Sequence, residues 1–183
     1  GLDKPFFVQY ATWLGQVLRG NLGWSEAGSM SVWDSIWHYL PATVEIAIFA
    51  TPLIILMGIF LGSVAAAHKD KPVDHGTRVV AILGWSLPTF WLGLILLMLF
   101  YGYFRGLLPP GRLSTQMEIV VTSAAFIRYT HINTIDAILN LNGPVLLDAL
   151  RHLILPVVTI SVTHMAFIMR LMRSSMLESL RKG

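Results

Sequence analysis

Residues 43–67 read TVEIAIFATPLIILMGIFLGSVAAA, an apolar run that carries one charge, Glu45. A helix crosses the roughly 30 Å of bilayer hydrocarbon in about 20 predominantly apolar residues, so this stretch is long enough to span. Residues 79–104 and 153–172 qualify on the same ground. A fourth apolar patch, residues 119–127, is too short to cross and is expected to pack in a loop subdomain or lie at the interface. The fold class predicted is therefore all-α integral membrane, with three transmembrane helices, short interfacial helices and one long loop.

Composition agrees. The 183 residues are 55% hydrophobic and only 13% charged, where a soluble domain carries about 25% charged residues. Mean hydropathy is +0.65 and the pI about 9.5. A net charge of +3 raises nucleic acid as a partner. The basic clusters abut the apolar spans, however, and no basic-aromatic RNA-binding pattern accompanies them, so the lipid bilayer is the partner implied and nucleic acid is not. With no cysteine there is no disulfide or thiolate chemistry. The chain opens on Gly1, and its first residues lack the basic and apolar regions of a signal peptide, which is the pattern expected of a cut or processed edge.

Lys and Arg near the spans are retained in the cytoplasm. Residues 68–78 hold Lys69, Lys71 and Arg78, and residues 173–183 hold Arg173, Arg181 and Lys182. Both segments are assigned to the cytoplasm. Residues 1–42 and 105–152 are assigned to the exterior. In the first of these Phe6, Tyr10, Trp13, Leu14, Val17 and Leu18 recur at helical spacing, predicting an amphipathic helix at the membrane surface or packed on a subunit. Gly20 and Gly23 end it, and a second short helix is expected over 32–40 before Pro41 admits the first span. The 105–152 connection opens on the turn signal Leu108-Pro109-Pro110-Gly111, and a further short helix is expected over 145–153. Pro156 then falls in the first turn of the third span, where its missing N–H costs little.

Some side chains stand out against this apolar background. Gly58, Gly62 and Ala66 form a small-xxx-small series that admits another helix backbone. Glu45 sits about one turn inside its span; it is read either as the exterior mouth of a pathway or as an acid near a helix N-terminus, where negative charge is favoured. Ser86-Leu87-Pro88-Thr89 interrupts the second span with a proline kink, either beside a translocation path or purely architectural. His164 lines a polar cavity or bonds a neighbouring helix. Arg170 is close enough to a span end to snorkel, and Glu178 precedes Lys182 by four residues, the favourable order for a helix pair. Glu45, Ser86, Pro88, Thr89 and His164 are thus the translocation-path candidates; Gly58, Gly62 and Ala66 are the packing candidates. The sequence has no HExxH, no zinc-ligand spacing among its six His and no P-loop; Gly84-Trp85-Ser86-Leu87-Pro88 fails the nucleophile-elbow pattern at its fifth position. Catalytic, cofactor-binding and metal-binding residues are accordingly not assigned.

Six stretches in order resemble the permeases of peptide-type ABC importers: QYATWLGQVLRGNLG (9–23), LPATVE (40–45), SLPTFWLG (86–93), LPPGR (108–112), HLILP (152–156) and RLMRSSMLE (170–178). The resemblance implies a six-span permease of the type I ABC importer bundle in the cell inner membrane, to which these residues contribute spans two to four. It implies a second permease subunit, two cytoplasmic ATPase subunits that bind ATP and Mg, and an extracytoplasmic substrate-binding protein as partners. Peptide-like substrates would pass between the permeases by ATP-driven alternating access. The coupling loop of such a permease would begin just after Gly183. The alternative from another class is a membrane anchor or sensory subunit whose exterior loop binds a ligand or partner; an intramembrane enzyme ranks third, for want of a nucleophile and base.

Overall fold

The computed structural model describes residues 4–182, without the side chain of Arg181. Residues 1–3 and Gly183, and with them the start of the predicted exterior segment, lie outside the described residues. The chain forms two compact units, residues 1–43 and 44–183. Helices dominate, and the only strands among the described residues are a two-residue pair.

In the first unit, α1 (Phe6–Leu18) forms over the predicted amphipathic stretch. Its aromatic residues Phe6, Phe7, Tyr10 and Trp13 are all exposed, which suits a membrane surface far better than water. Gly20 and Gly23 follow with φ of +84° and +86°, a backbone that glycine adopts without steric cost. They turn the chain into the antiparallel pair β1 (Trp24–Ser25) and β2 (Met30–Ser31). Ser31 then caps the next helix: its Oγ accepts the Asp34 N–H at 3.0 Å and donates to Asp34 Oδ2 at 2.7 Å. This capping arrangement starts α2 at Val32, and α2 runs unbroken to Ala67. The separate short helix expected over 32–40 is therefore corrected. Pro41 lies within α2, as proline can in a membrane helix whose neighbours satisfy the freed backbone.

The second unit is organised on α7 (Gly143–Lys182), against which α3 (Pro72–Ser86), α4 (Thr89–Leu97), α5 (Thr115–Thr122) and α6 (Asn133–Leu139) all pack. A π-helical stretch, Met98–Tyr103, extends α4. Here too a predicted boundary disappears. The helix expected over 145–153 and the third span are one helix, with Pro156 inside it rather than in its first turn. Packing on both sides of the proline compensates: Val145 and Ala149 are buried with Leu113, Val121, Phe126 and Ala137, whereas Leu153 and Val157 are buried with Ala50 of α2. Val121 and Phe126, from the short apolar patch over 119–127, thus pack within the loop subdomain.

Two helices, α2 and α7, are long and apolar enough to cross a membrane, and α3 with α4 makes a third if the bent pair is one span. That bend is 102°, much sharper than the kink expected within residues 79–104. Leu87 is extended (φ −84°, ψ 127°), the conformation favoured before proline. Pro88 starts the next helix, its carbonyl accepting the N–H groups of Trp91 and Leu92. The 15 residues of α3 reach about 22 Å, too short to cross alone.

Close approach at glycine joins these helices. A Cβ on Gly58 would lie 2.6 Å from Ile168 Cβ, one on Gly62 2.7 Å from the Met169 carbonyl oxygen, and one on Gly84 2.7 Å from that of Val162. Ala66, the third member of the series, is buried. Gly62→Ala is expected to lower stability by about 1–3 kcal/mol, because backbone cannot yield as a flexible side chain does. Gly76 has nothing within 4 Å of its would-be Cβ, so Gly76→Ala should be neutral or stabilising by up to about 1 kcal/mol. Unfolding of both variants in detergent micelles checks the contrast.

Candidate translocation site and its ion ties

Glu45 lies about 13 residues into α2, not one turn from a helix end, because α2 starts at Val32. The reading of Glu45 as an acid stabilised by a helix N-terminus is thereby corrected. Glu45 is 2% exposed, and its carboxylate is held from both sides. Arg112 Nη2 donates to Oε2 at 2.9 Å, and the Thr134 N–H donates to Oε1 at 2.8 Å. Arg112 Nη2 also donates to the His131 carbonyl at 3.0 Å. Residues far apart in the chain are so tied to α2 by one buried carboxylate, the type of pairing that makes an ion tolerable away from water. Asp148 accepts the Ser114 N–H, and Arg151 donates to the carbonyls of Gly106 and Leu107, securing the same connection to α7.

Two cavities meet near Arg112. One, of about 630 Å³, lies in the loop subdomain and is lined by Arg112, Glu118, Arg128, His131 and Asn133 among others. The other, a cleft of about 550 Å³, lies beside α4 and α7 and is mainly apolar, with Thr89, Arg112, His152 and Thr159 as its polar members. Thr89, just past the helix break, lines the cleft, and its hydroxyl reaches that of Thr163 on α7 at 3.5 Å. Ser86 and Pro88 are not among the residues lining it. His164 is exposed, and its Nδ1 lies 2.9 Å from the Ile160 carbonyl of its own helix; among the described residues it makes no bond to a neighbouring helix. Of the five path candidates, Glu45 and Thr89 belong to this region, Glu45 through Arg112. Among the described residues no group of three or more His, Asp or Glu could hold a metal ion.

A second ionic site was not singled out by sequence. Asp74, in the segment preceding the apolar run of α3, has no exposed surface. Arg173 of α7 grips it as a fork, Nε to Oδ1 and Nη2 to Oδ2, both at 2.7 Å. Arg78 Nη2 adds a contact to Oδ2 at 2.7 Å, and the Asp70 N–H donates to the same oxygen at 3.0 Å. The Arg173 and Arg78 guanidiniums hold the Asp74 carboxyl well below the usual carboxylate range, overcoming the opposing effect of burial. In return Asp74 raises the Arg173 pKa. Sequence offered one clue, the Asp74 to Arg78 spacing of four; nothing local pointed to Arg173, 99 residues away. Arg173 is not merely a cytoplasmic charge beside a span, since it holds Asp74 of α3. Nor does Arg170 only snorkel, since its guanidinium stacks 4.8 Å from the Trp85 ring centroid. Lys182 does reach Glu178, at 2.6 Å.

Long apolar helices joined through glycines and buried ion pairs define an all-helical integral membrane protein. The chain belongs to the family of binding-protein-dependent transport system inner membrane components, whose family model matches residues 58–183. It is 38% identical over 180 residues to the probable D,D-dipeptide transport system permease protein DdpB of Escherichia coli K12, covering 98% of this chain and 51% of that protein. It is 36% identical over 182 residues to the di/tripeptide transport system permease protein DppB of Pseudomonas aeruginosa, covering 100% and 52%. A third relative, the dipeptide transport system permease protein DppB of Alkalihalophilus pseudofirmus, is 33% identical over 99% of this chain. The chain spans about half the length of these curated relatives.

Asp74→Asn should cost about 2 kcal/mol, less than the roughly 3–5 kcal/mol of breaking a fully buried pair, because the Arg78 and Arg173 side chains remain 44% and 22% exposed and solvent screens them. A double-mutant cycle of Asp74→Asn with Arg173→Gln, read by unfolding in micelles, should give a coupling energy of at least about 0.5 kcal/mol. A cycle with Lys182→Gln should be additive.

Proposed function

We propose that the chain is part of a permease subunit of an ABC importer in the cytoplasmic membrane, contributing to the path of peptide-like substrates. The observation that carries this proposal is the similarity to peptide permeases along 98–100% of the chain. The geometry lends support in the 550 Å³ cleft beside α4 and α7, where Thr89, just past the helix break, and Thr159 set hydroxyls into an otherwise apolar wall. In this scheme Thr89 and the Arg112–Glu45 pair face the path, and His164 and Ser86 do not.

The energy source lies in partner chains: two cytoplasmic ATPase subunits bind ATP and Mg, a second permease completes the path, and an extracytoplasmic binding protein delivers cargo. Hydrolysis drives alternating access. The Asp74–Arg173 fork joins the 68–78 connection to the distal part of α7, so motion imposed on that part of α7 is passed to α3 as well.

The full-length subunit should copurify with its ATPases, and hydrolysis in liposomes should rise severalfold on adding loaded binding protein. A subunit that never associates with an ATPase would sink the proposal and favour an anchor or sensory role.

A further inference from the structure

Arg112 alone is common to the linings of the polar pocket and the apolar cleft. Its guanidinium is only partly committed. Both Nη2 hydrogens are used, by Glu45 Oε2 and the His131 carbonyl. Nε is buried and has no partner, and Nη1 has none among the described residues. The side chain keeps 36% of its surface exposed. A guanidinium carries five N–H donors, so the two on Nη1 remain for an incoming anion, while the buried Nε–H is left without an acceptor.

The surroundings favour an anion at this point. Arg128, exposed and with no ion pair or hydrogen bond among the described residues, joins Arg112 on the wall of the polar pocket against one acid, Glu118. Beyond Arg112 the cleft is mainly apolar, and an anion entering it loses hydration that must be replaced by a paired charge. Glu45, 2% exposed and pinned by the Thr134 N–H, cannot leave with the cargo. It keeps Arg112 paired when no cargo is present and competes for it when cargo arrives, which limits how tightly the anion is held.

We propose that Arg112 is a specificity-determining residue of the permease, binding the carboxylate of the cargo as it passes from the polar pocket into the apolar cleft, with Glu45 as the resident competitor. The proposal rests on the permease reading and names the group of the cargo that the path recognises.

The test uses the full importer in proteoliposomes with its binding protein and compares uptake of L-alanyl-L-alanine with that of its C-terminal amide. The same binding protein serves every variant, so a change in the acid-to-amide ratio reports the permease. Arg112→Gln should slow uptake of the free acid about tenfold more than that of the amide, the scale of one charge-assisted hydrogen-bond pair. Arg112→Lys, which keeps the charge but has one nitrogen to share between Glu45 and the cargo, should fall between. Glu45→Gln retains an acceptor for the Thr134 N–H, removes the competing charge and should lower the KM for the free acid. Equal loss of acid and amide in Arg112→Gln would overturn the proposal, leaving Arg112 as a fold-holding residue only; so would no change in either. A wild-type complex that assembles but moves neither peptide would instead overturn the permease reading itself.

Discussion

Gly62 brings α2 so close to α7 that a single added carbon would stand 2.7 Å from the Met169 carbonyl oxygen. In lipid that closeness matters more than it would in water. Burying apolar surface against another helix gains little when the alternative is a hydrocarbon chain, so association depends on close packing and polar contacts. Gly58 and Gly62 supply the approach for α2, and Gly84 supplies it for α3. With α7 as the shared partner, three separate buried clusters line up along one helix.

Two carboxylates fix what close packing leaves free to slide. Glu45, held by Arg112 and the Thr134 N–H, sets the loop subdomain on α2. Asp74, held by Arg173 and Arg78, sets the connection after α2 onto the distal part of α7. Each acid is almost wholly covered while its arginines keep some exposure, so the cost of burial is met by charge-assisted bonds with good geometry. Because such bonds are directional, they specify register in a way that an apolar contact of the same area does not. The ties differ in one respect that bears on function: the Asp74 carboxylate accepts bonds from several donors and leaves little free, whereas Arg112 retains unused donors between two cavities.

Much of this was legible in the chain. Long apolar runs identify membrane helices because hydrocarbon thickness sets their length, and the Gly58, Gly62 and Ala66 series reads as a packing face because spacing of four places those residues on one side of a helix. The segment boundaries were less legible. Pro41 and Pro156 read as helix starts because proline lacks an N–H, yet both lie inside continuous helices. Ser31 with Asp34 had already begun α2, and packing on both sides of Pro156 outweighed one missing bond. Pro88 reads as a kink, but the extended conformation of Leu87 turned it into a 102° break.

The sequence by itself determined that this is an all-helical membrane protein, since hydropathy and helical spacing are local properties. Family membership was equally a matter of linear order, carried by six short stretches along the chain. Only the tertiary structure decided which charges meet. Arg112 and Glu45 are 67 residues apart, and Asp74 and Arg173 are 99 apart. Read one at a time, these arginines were no more than positive charges flanking spans. An ion pair depends on distance in space, and that distance was set when the helices packed together at glycine.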